Sequence, residues 1–172
     1  MNEKPKERKP NRIPGYNYSL NGVYFITICA DKRKCLFSSV VGGGALDAPK
    51  IRLSSIGKII DKYILSSENI NGVHIDKYVI MPNHLHLLIE IDSDVGMSNF
   101  ALRNIAPSPT SAKIPHLVST LKRFVNHEIG YNVFQRSYYD HVVRNEKDYL
   151  IHWEYVDTNP IKWETDDYYI KN

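Results

Sequence analysis

The stretch Tyr78-Val79-Ile80-Met81-Pro82-Asn83-His84-Leu85-His86-Leu87-Leu88-Ile89-Glu90-Ile91 decides how the chain folds. From His84 onward it alternates: Leu85, Leu87, Ile89 and Ile91 point one way, His84, His86, Leu88 and Glu90 the other. The leucine face reads as core. Val73 to Met81 reads as a preceding strand, and Pro82-Asn83 as the tight connection of a hairpin. On a strand the two histidines are neighbours on the non-leucine face, separated by two rises of roughly 3.3 Å each. Their ring nitrogens can then converge on one ion, although two solvated histidines on an ordinary sheet surface satisfy the same spacing.

Outward from this hairpin, Val23-Tyr24-Phe25-Ile26-Thr27-Ile28-Cys29 is β-branched, aromatic and almost wholly apolar, as suits an inner strand, and Asp31-Lys32-Arg33-Lys34 turns the chain through a basic loop. Residues 40–50 hold a glycine run and read as a flexible insertion; no Lys-Ser/Thr follows it, so a phosphate-binding P-loop is excluded. Ile56, Ile59, Ile60, Tyr63 and Ile64 recur at helical spacing behind a Ser54 or Ser55 cap, and the helix should end near Asn71-Gly72.

After the hairpin, residues 93–113 lack periodicity and read as a long loop. Pro115 can open a second helix striped by Leu117, Leu121, Phe124, Val125 and Ile129 and ended by Gly130. Val133 to Val143 reads as the last strand. Asn145 then caps a final helix, with Asp148 as its capping-box partner and Tyr149, Trp153 and Val156 as its core stripe. On that helix Tyr155 and Asn159 stand four apart and share a face, which offers a nucleophile and a further ligand.

The order strand-helix-strand-strand-helix-strand plus a C-terminal helix predicts an α+β fold of ferredoxin-like (split βαβ) type: an antiparallel sheet with helices on one face, and the C-terminal helix carrying the nucleophile. An RNA-recognition module of this fold would want stacking aromatics where His84 and His86 stand.

With 172 residues, 42% of them hydrophobic, the chain can bury one sizeable core. No apolar run is long enough for a bilayer and no secretion signal is evident, so a cytoplasmic protein without membrane contact is expected. Cys29 and Cys35 match no zinc spacing and suggest no disulfide. The net charge is only +3, but Lys4, Lys6, Arg8, Lys9 and Arg12 crowd the start. Residues 1–20 therefore read as a basic extended arm, and 21–172 as a single domain with insertions near 40–50 and 93–113.

Five segments taken in order resemble the single-tyrosine HUH transposases, above all the REP-associated tyrosine transposases. They are Arg12 to Ser19, Tyr24 to Ile28, Val79 to His86, Tyr139 to Asn145 and Tyr155 to Pro160. The resemblance implies a metal-dependent single-stranded DNA endonuclease and strand transferase that cleaves at hairpin, REP-like DNA through a covalent 5′-phosphotyrosine. It makes Tyr155 the nucleophile, His84, His86 and Asn159 the metal ligands, and Mg²⁺ or Mn²⁺ the cofactor. Relatives from insertion sequences usually have glutamine where Asn159 stands. A monomer and a homodimer are both compatible with the resemblance.

Lys32, Arg33, Lys34, Lys122, Arg123 and Arg136 are candidates for phosphate contacts, and His152, three residues before Tyr155, is a candidate aid to proton transfer. A catalytically inactive nucleic-acid-binding module of the same fold is the alternative. A zinc hydrolase is third, for want of a carboxylate base at H-E-x-x-H spacing.

Overall fold

The computed structural model describes residues 21–42, 48–92 and 113–170. Strand β1 (Gly22–Cys29) is followed by β2 (Ser38–Val41), β3 (Lys50–Leu53) and helix α1 (Ser55–Ser66). Then come β4 (Val73–Ile80), β5 (His84–Ile91), α2 (Lys113–Ile129), β6 (Tyr139–Val143) and α3 (Glu146–Thr158). The main sheet has the order β4-β5-β1-β6, every pair antiparallel. With the β2-β3 pair set aside, this is the ferredoxin-like arrangement the element order predicts.

The leucine face of β5 packs where the alternation places it. Leu85, Leu87 and Ile89 join Tyr24, Ile26 and Ile28 of β1 in a core closed by Ile60 and Ile64 of α1 and Leu117, Leu121 and Val125 of α2. Ser54 caps α1 by accepting from Gly57 N at 3.0 Å, while its hydroxyl bonds the Leu36 and Phe37 carbonyls. Gly57 is required there, because a Cβ would lie 2.0 Å from Phe37 O. The second face of β1 and β5 is covered by α3 through a smaller cluster of Phe25, Leu88, Val143 and Val156.

Five sequence expectations need correction, the first being the end of α1, which stops at Ser66 and hands over to a 3-10 turn, Ser67–Asn69, short of Asn71-Gly72. The insertion near 40–50 is flanked by paired strands, Ser38 facing Leu53 and Val41 facing Lys50, so only its tip, residues 43–47, lies outside the described residues. Isolated four-residue strands carry too little periodicity to be read locally. The last strand starts at Tyr139 and not at Val133. Phe134 makes a lone bridge to Ala30, and Lys122 Nζ then draws the Gln135, Arg136 and Ser137 carbonyls to itself at 2.8, 3.3 and 3.0 Å, out of any ladder.

Helix α2 begins at Lys113, with Pro115 in its first turn, where a missing N–H leaves no bond broken. Its stripe runs through Ile114, Leu117, Val118, Leu121 and Val125, while Phe124 is 45% exposed and stacks on Tyr63. In the core stripe expected of α3, only Val156 is buried. The expected arm, residues 1–20, and most of the long loop, 93–112, lie outside the described residues.

Candidate functional site

His84 and His86 open β5 on the face away from α1 and α2. That face is not solvated: the two residues are 0% and 2% exposed. Each ring is oriented through Nδ1. Asn83 Nδ2 donates to Arg33 O at 3.2 Å and Tyr168 O at 2.7 Å, which turns Asn83 Oδ1 toward His84 Nδ1 at 2.9 Å. An amide oxygen only accepts, so neutral His84 carries its proton on Nδ1 and a lone pair on Nε2. His86 Nδ1 shares a 2.8 Å hydrogen bond with Thr27 Oγ1, and Phe25 stacks on its ring at 5.0 Å.

Burial pulls the His84 pKa down to about 4 against the opposing charge of Asp166. Burial, with His84 and His152 adding to it, also holds His86 well below its ordinary value. Both rings are therefore neutral at physiological pH, the form that ligates metal.

Helix α3 brings the remaining groups. Asn145 caps it, accepting from Asp148 N at 2.9 Å. Tyr149 Oη donates to Asp76 on β4 at 3.1 Å, and Lys77 Nζ reaches Asp157 at 2.5 Å while lying 4.0 Å from the Trp153 ring centroid. So fastened, α3 sets the Tyr155 ring edge-on to Phe25 and to His86, with centroids 5.9 and 5.2 Å away. Asn159, one turn later, is 1% exposed. Asp166 ties the two together, accepting from Asn159 Nδ2 at 2.9 Å and from Tyr155 Oη at 3.3 Å.

With its amide nitrogen committed to Asp166, Asn159 has a free oxygen. Five buried side-chain atoms lack a hydrogen-bond partner among the described residues, and three are His84 Nε2, His86 Nε2 and Asn159 Oδ1; the others are the carboxylate oxygens of Asp140 on β6. Leaving such an acceptor buried and unpaired costs about 1–3 kcal/mol each. Two imidazole nitrogens and an amide oxygen, all acceptors without a donor, are the chemistry of a divalent-metal ligand set with positions left open. Burial first, then the Asp166 charge and hydrogen bond, pushes the Tyr155 phenol up to about 12. The phenol is fully protonated at neutral pH.

No protein-family model matches the chain. An uncharacterised protein of Haemophilus influenzae Rd is 38% identical over 178 residues, spanning 95% of this chain and 93% of that one, and the two belong to one family. The solved structure of a REP-associated tyrosine transposase bound to a REP hairpin aligns over 92% of this chain and 74% of its own, with a TM-score of 0.58 and 20% identity. The chain has the fold of the REP-associated tyrosine transposases. A Deinococcus radiodurans R1 protein aligns with a TM-score of 0.41 and is too distant to carry weight. Among the described residues, no helix of this transposase fold is long and apolar enough to cross a membrane.

The basic residues divide by position. Cys29 pairs with His84, so the loop after β1 borders the site. In that loop Lys32 and Arg33 hold positive φ values of 52° and 55°, an uncommon backbone that exposes Lys32 and lays Arg33 5.0 Å from the Tyr168 ring centroid. Lys34 and Arg136 are exposed near the same sheet end. Arg123 is exposed on α2, in the other layer. Lys122 spends its ammonium on three carbonyls. His152 Nδ1 bonds Asp148 O at 2.8 Å, whereas the Tyr155 hydroxyl bonds Asp166.

Sequence reading missed Thr27, Asn83 and Asp166, and it weighed Tyr168 only as an alternative hydroxyl, whereas its ring lies 4.6 Å from that of His84. For Asn83, adjacency to His84 was a usable signal. Asp166 stood only in an acidic run, with nothing local to mark it.

Proposed function

We propose that this chain is a metal-dependent single-stranded DNA strand transferase. It cleaves at hairpin DNA, attaches the 5′ phosphate to Tyr155, and rejoins strands by the reverse reaction. The observation that carries this reading is the grouping, next to one phenol, of three buried acceptor atoms with no donor. The hairpin preference rests on the sequence motifs and on the hairpin-bound structure that shares the fold.

In this reading His84, His86 and Asn159 hold Mg²⁺ or Mn²⁺. The cation, when bound, polarises the scissile phosphate and offsets the charge that develops on it. Asn83 and Thr27 keep the two rings turned so that Nε2 faces inward, and Asp166 keeps Asn159 Oδ1 turned the same way. Tyr155 Oη attacks phosphorus, a P–O bond forms, and the bond to the deoxyribose 3′ oxygen breaks, releasing a 3′-hydroxyl. The phenol, held up at about 12 in the metal-free protein, has to give up its proton on the way to the adduct, and Asp166 is its hydrogen-bond acceptor at 3.3 Å.

Attack by another 3′-hydroxyl on the phosphotyrosine restores the phenol and joins strands without ATP. In the same reading Lys32, Arg33, Lys34 and Arg136 steer phosphates into the site, a role that the exposure of Lys32, Lys34 and Arg136 supports.

The test mixes the purified protein with labelled single-stranded hairpins from the repeats flanking its own gene, in Mg²⁺ or Mn²⁺. An SDS-resistant adduct is expected, lost with chelator and in Tyr155→Phe. An adduct that survives Tyr155→Phe removes the assignment of the nucleophile. Hairpin binding without an adduct in either metal makes the chain a binding module.

A further inference from the structure

A second group of ligating side chains lies outside the proposed catalytic set. His141 stands on β6, and Asp148 and His152 stand four apart on α3, so both helix residues face the strand. His141 Nε2 lies 2.9 Å from Asp148 Oδ2, and His152 Nδ1 lies 3.3 Å from Asp148 Oδ1. One donor atom from each of the three residues fits within a span of 4.8 Å.

We propose that His141, Asp148 and His152 form a structural binding site for a borderline divalent metal, Zn²⁺ above all, that clamps the tyrosine-bearing helix to the edge strand. Zinc bonds of about 2.0–2.1 Å in a tetrahedron put neighbouring ligand atoms roughly 3.4 Å apart. To one carboxylate oxygen, Asp148 Oδ1, the separations from His141 Nε2 and His152 Nδ1 are 3.1 and 3.3 Å, both within half an ångström below that value. Two imidazoles and one carboxylate are also a donor set that prefers zinc to magnesium.

The group is held ready. The two rings stack with centroids 4.6 Å apart and planes 24° apart. Asp148 Oδ2 accepts from Arg144 N at 3.0 Å, which fixes the carboxylate, and Phe25 backs His152 at 4.5 Å. Asp148 is 21% and His152 17% exposed while His141 is 46% exposed, so an ion enters from the His141 side and leaves a fourth position to water. Coordination through His152 Nδ1 would replace its bond to Asp148 O and leave the ring proton on Nε2.

The clamp joins β6 to the first two turns of α3, and Tyr155 follows His152 by three residues. Its loading therefore sets how firmly the tyrosine helix is held. Nothing in this requires His84, His86 or Asn159, so the site stands or falls apart from the proposed reaction.

The experiment is a Co²⁺ titration of the metal-stripped full chain, read by visible absorption and equilibrium stoichiometry, with melting followed in Zn²⁺. The parent is expected to bind one more equivalent than His141→Ala and to gain more in melting temperature from Zn²⁺ than His141→Ala and His152→Ala do. The double variant Thr27→Val with His86→Leu, altered only in the other cluster, should still lose one equivalent and part of its Zn²⁺ stabilisation when His141→Ala is added. His141 is exposed and at a sheet edge, so its variant folds even where His152→Ala does not. Parent stoichiometry, spectrum and Zn²⁺ stabilisation retained in His141→Ala would overturn the site and leave a plain histidine–aspartate pair.

Discussion

Strands β1 and β5 are buried on both faces, and the two faces solve burial differently. Toward α1 and α2, Tyr24, Ile26, Ile28, Leu85, Leu87 and Ile89 are 0–1% exposed and packed in the apolar core. Toward α3, Phe25, Thr27, His84, His86 and Leu88 are 0–8% exposed, yet two imidazoles and an amide from α3 keep acceptors without donors there. Equal burial thus hides unequal energetics. One face stabilises the fold at about 25 cal/mol per Å² of apolar surface removed from water; the other gives some of that back to keep lone pairs bare.

The largest effect should fall on chemistry alone. Tyr155→Phe is expected to abolish the covalent adduct while changing unfolding free energy by less than about 1 kcal/mol, since only one long hydrogen bond to Asp166 is lost. Denaturant titration beside a gel assay checks both, and a grossly unstable variant would mean that the phenol holds the face together.

Next come paired substitutions on the two faces. Leu87→Ala should destabilise by about 2–5 kcal/mol through the cavity it leaves. The double change Thr27→Val with His86→Leu removes a buried hydroxyl and ring together, and should leave metal-free stability unchanged or higher while ending the adduct. If the double variant instead loses as much as Leu87→Ala, the two faces are energetically alike.

A smaller effect concerns pH. The Tyr155 pKa is raised to about 12, so its proton favours the folded state fully below the unfolded value near pH 10. That contribution is lost as pH rises through about 12. Tyr155→Phe lacks it, so denaturation profiles between about pH 9 and 12 should fall less steeply for the variant. Identical slopes would show a phenol indifferent to its burial and to Asp166.

The smallest effect is expected at Lys77→Ala, which frees Asp157 and uncovers the Trp153 ring. Partly exposed pairs of this kind contribute about 1 kcal/mol or less. A larger loss in thermal melting would make this contact the main fastening of α3.

Much of this was legible locally. The period of two through His84–Ile91 and the 3.6-residue spacing of Ile56, Ile60 and Ile64 report which side of an element meets the core, because side-chain direction follows backbone geometry. The caps Ser54 and Asn145 were readable for the same reason, each bond closing within three residues. The β2-β3 pair and the late start of β6 were not, since Lys122 competes for the Gln135–Ser137 carbonyls from a different helix.

By itself, then, the sequence determined the order of the main-sheet strands and the three α-helices, the core face and the candidates His84, His86, Tyr155 and Asn159, each read from spacing within its own segment. Tertiary structure decided the environment of each. It buried the histidines, turned their Nδ1 atoms to Asn83 and Thr27, and set Asp166 between Tyr155 and Asn159. It also brought His141 to Asp148 and His152. Burial and hydrogen-bond pairing depend on what the chain lays across a face after folding, which no local period encodes.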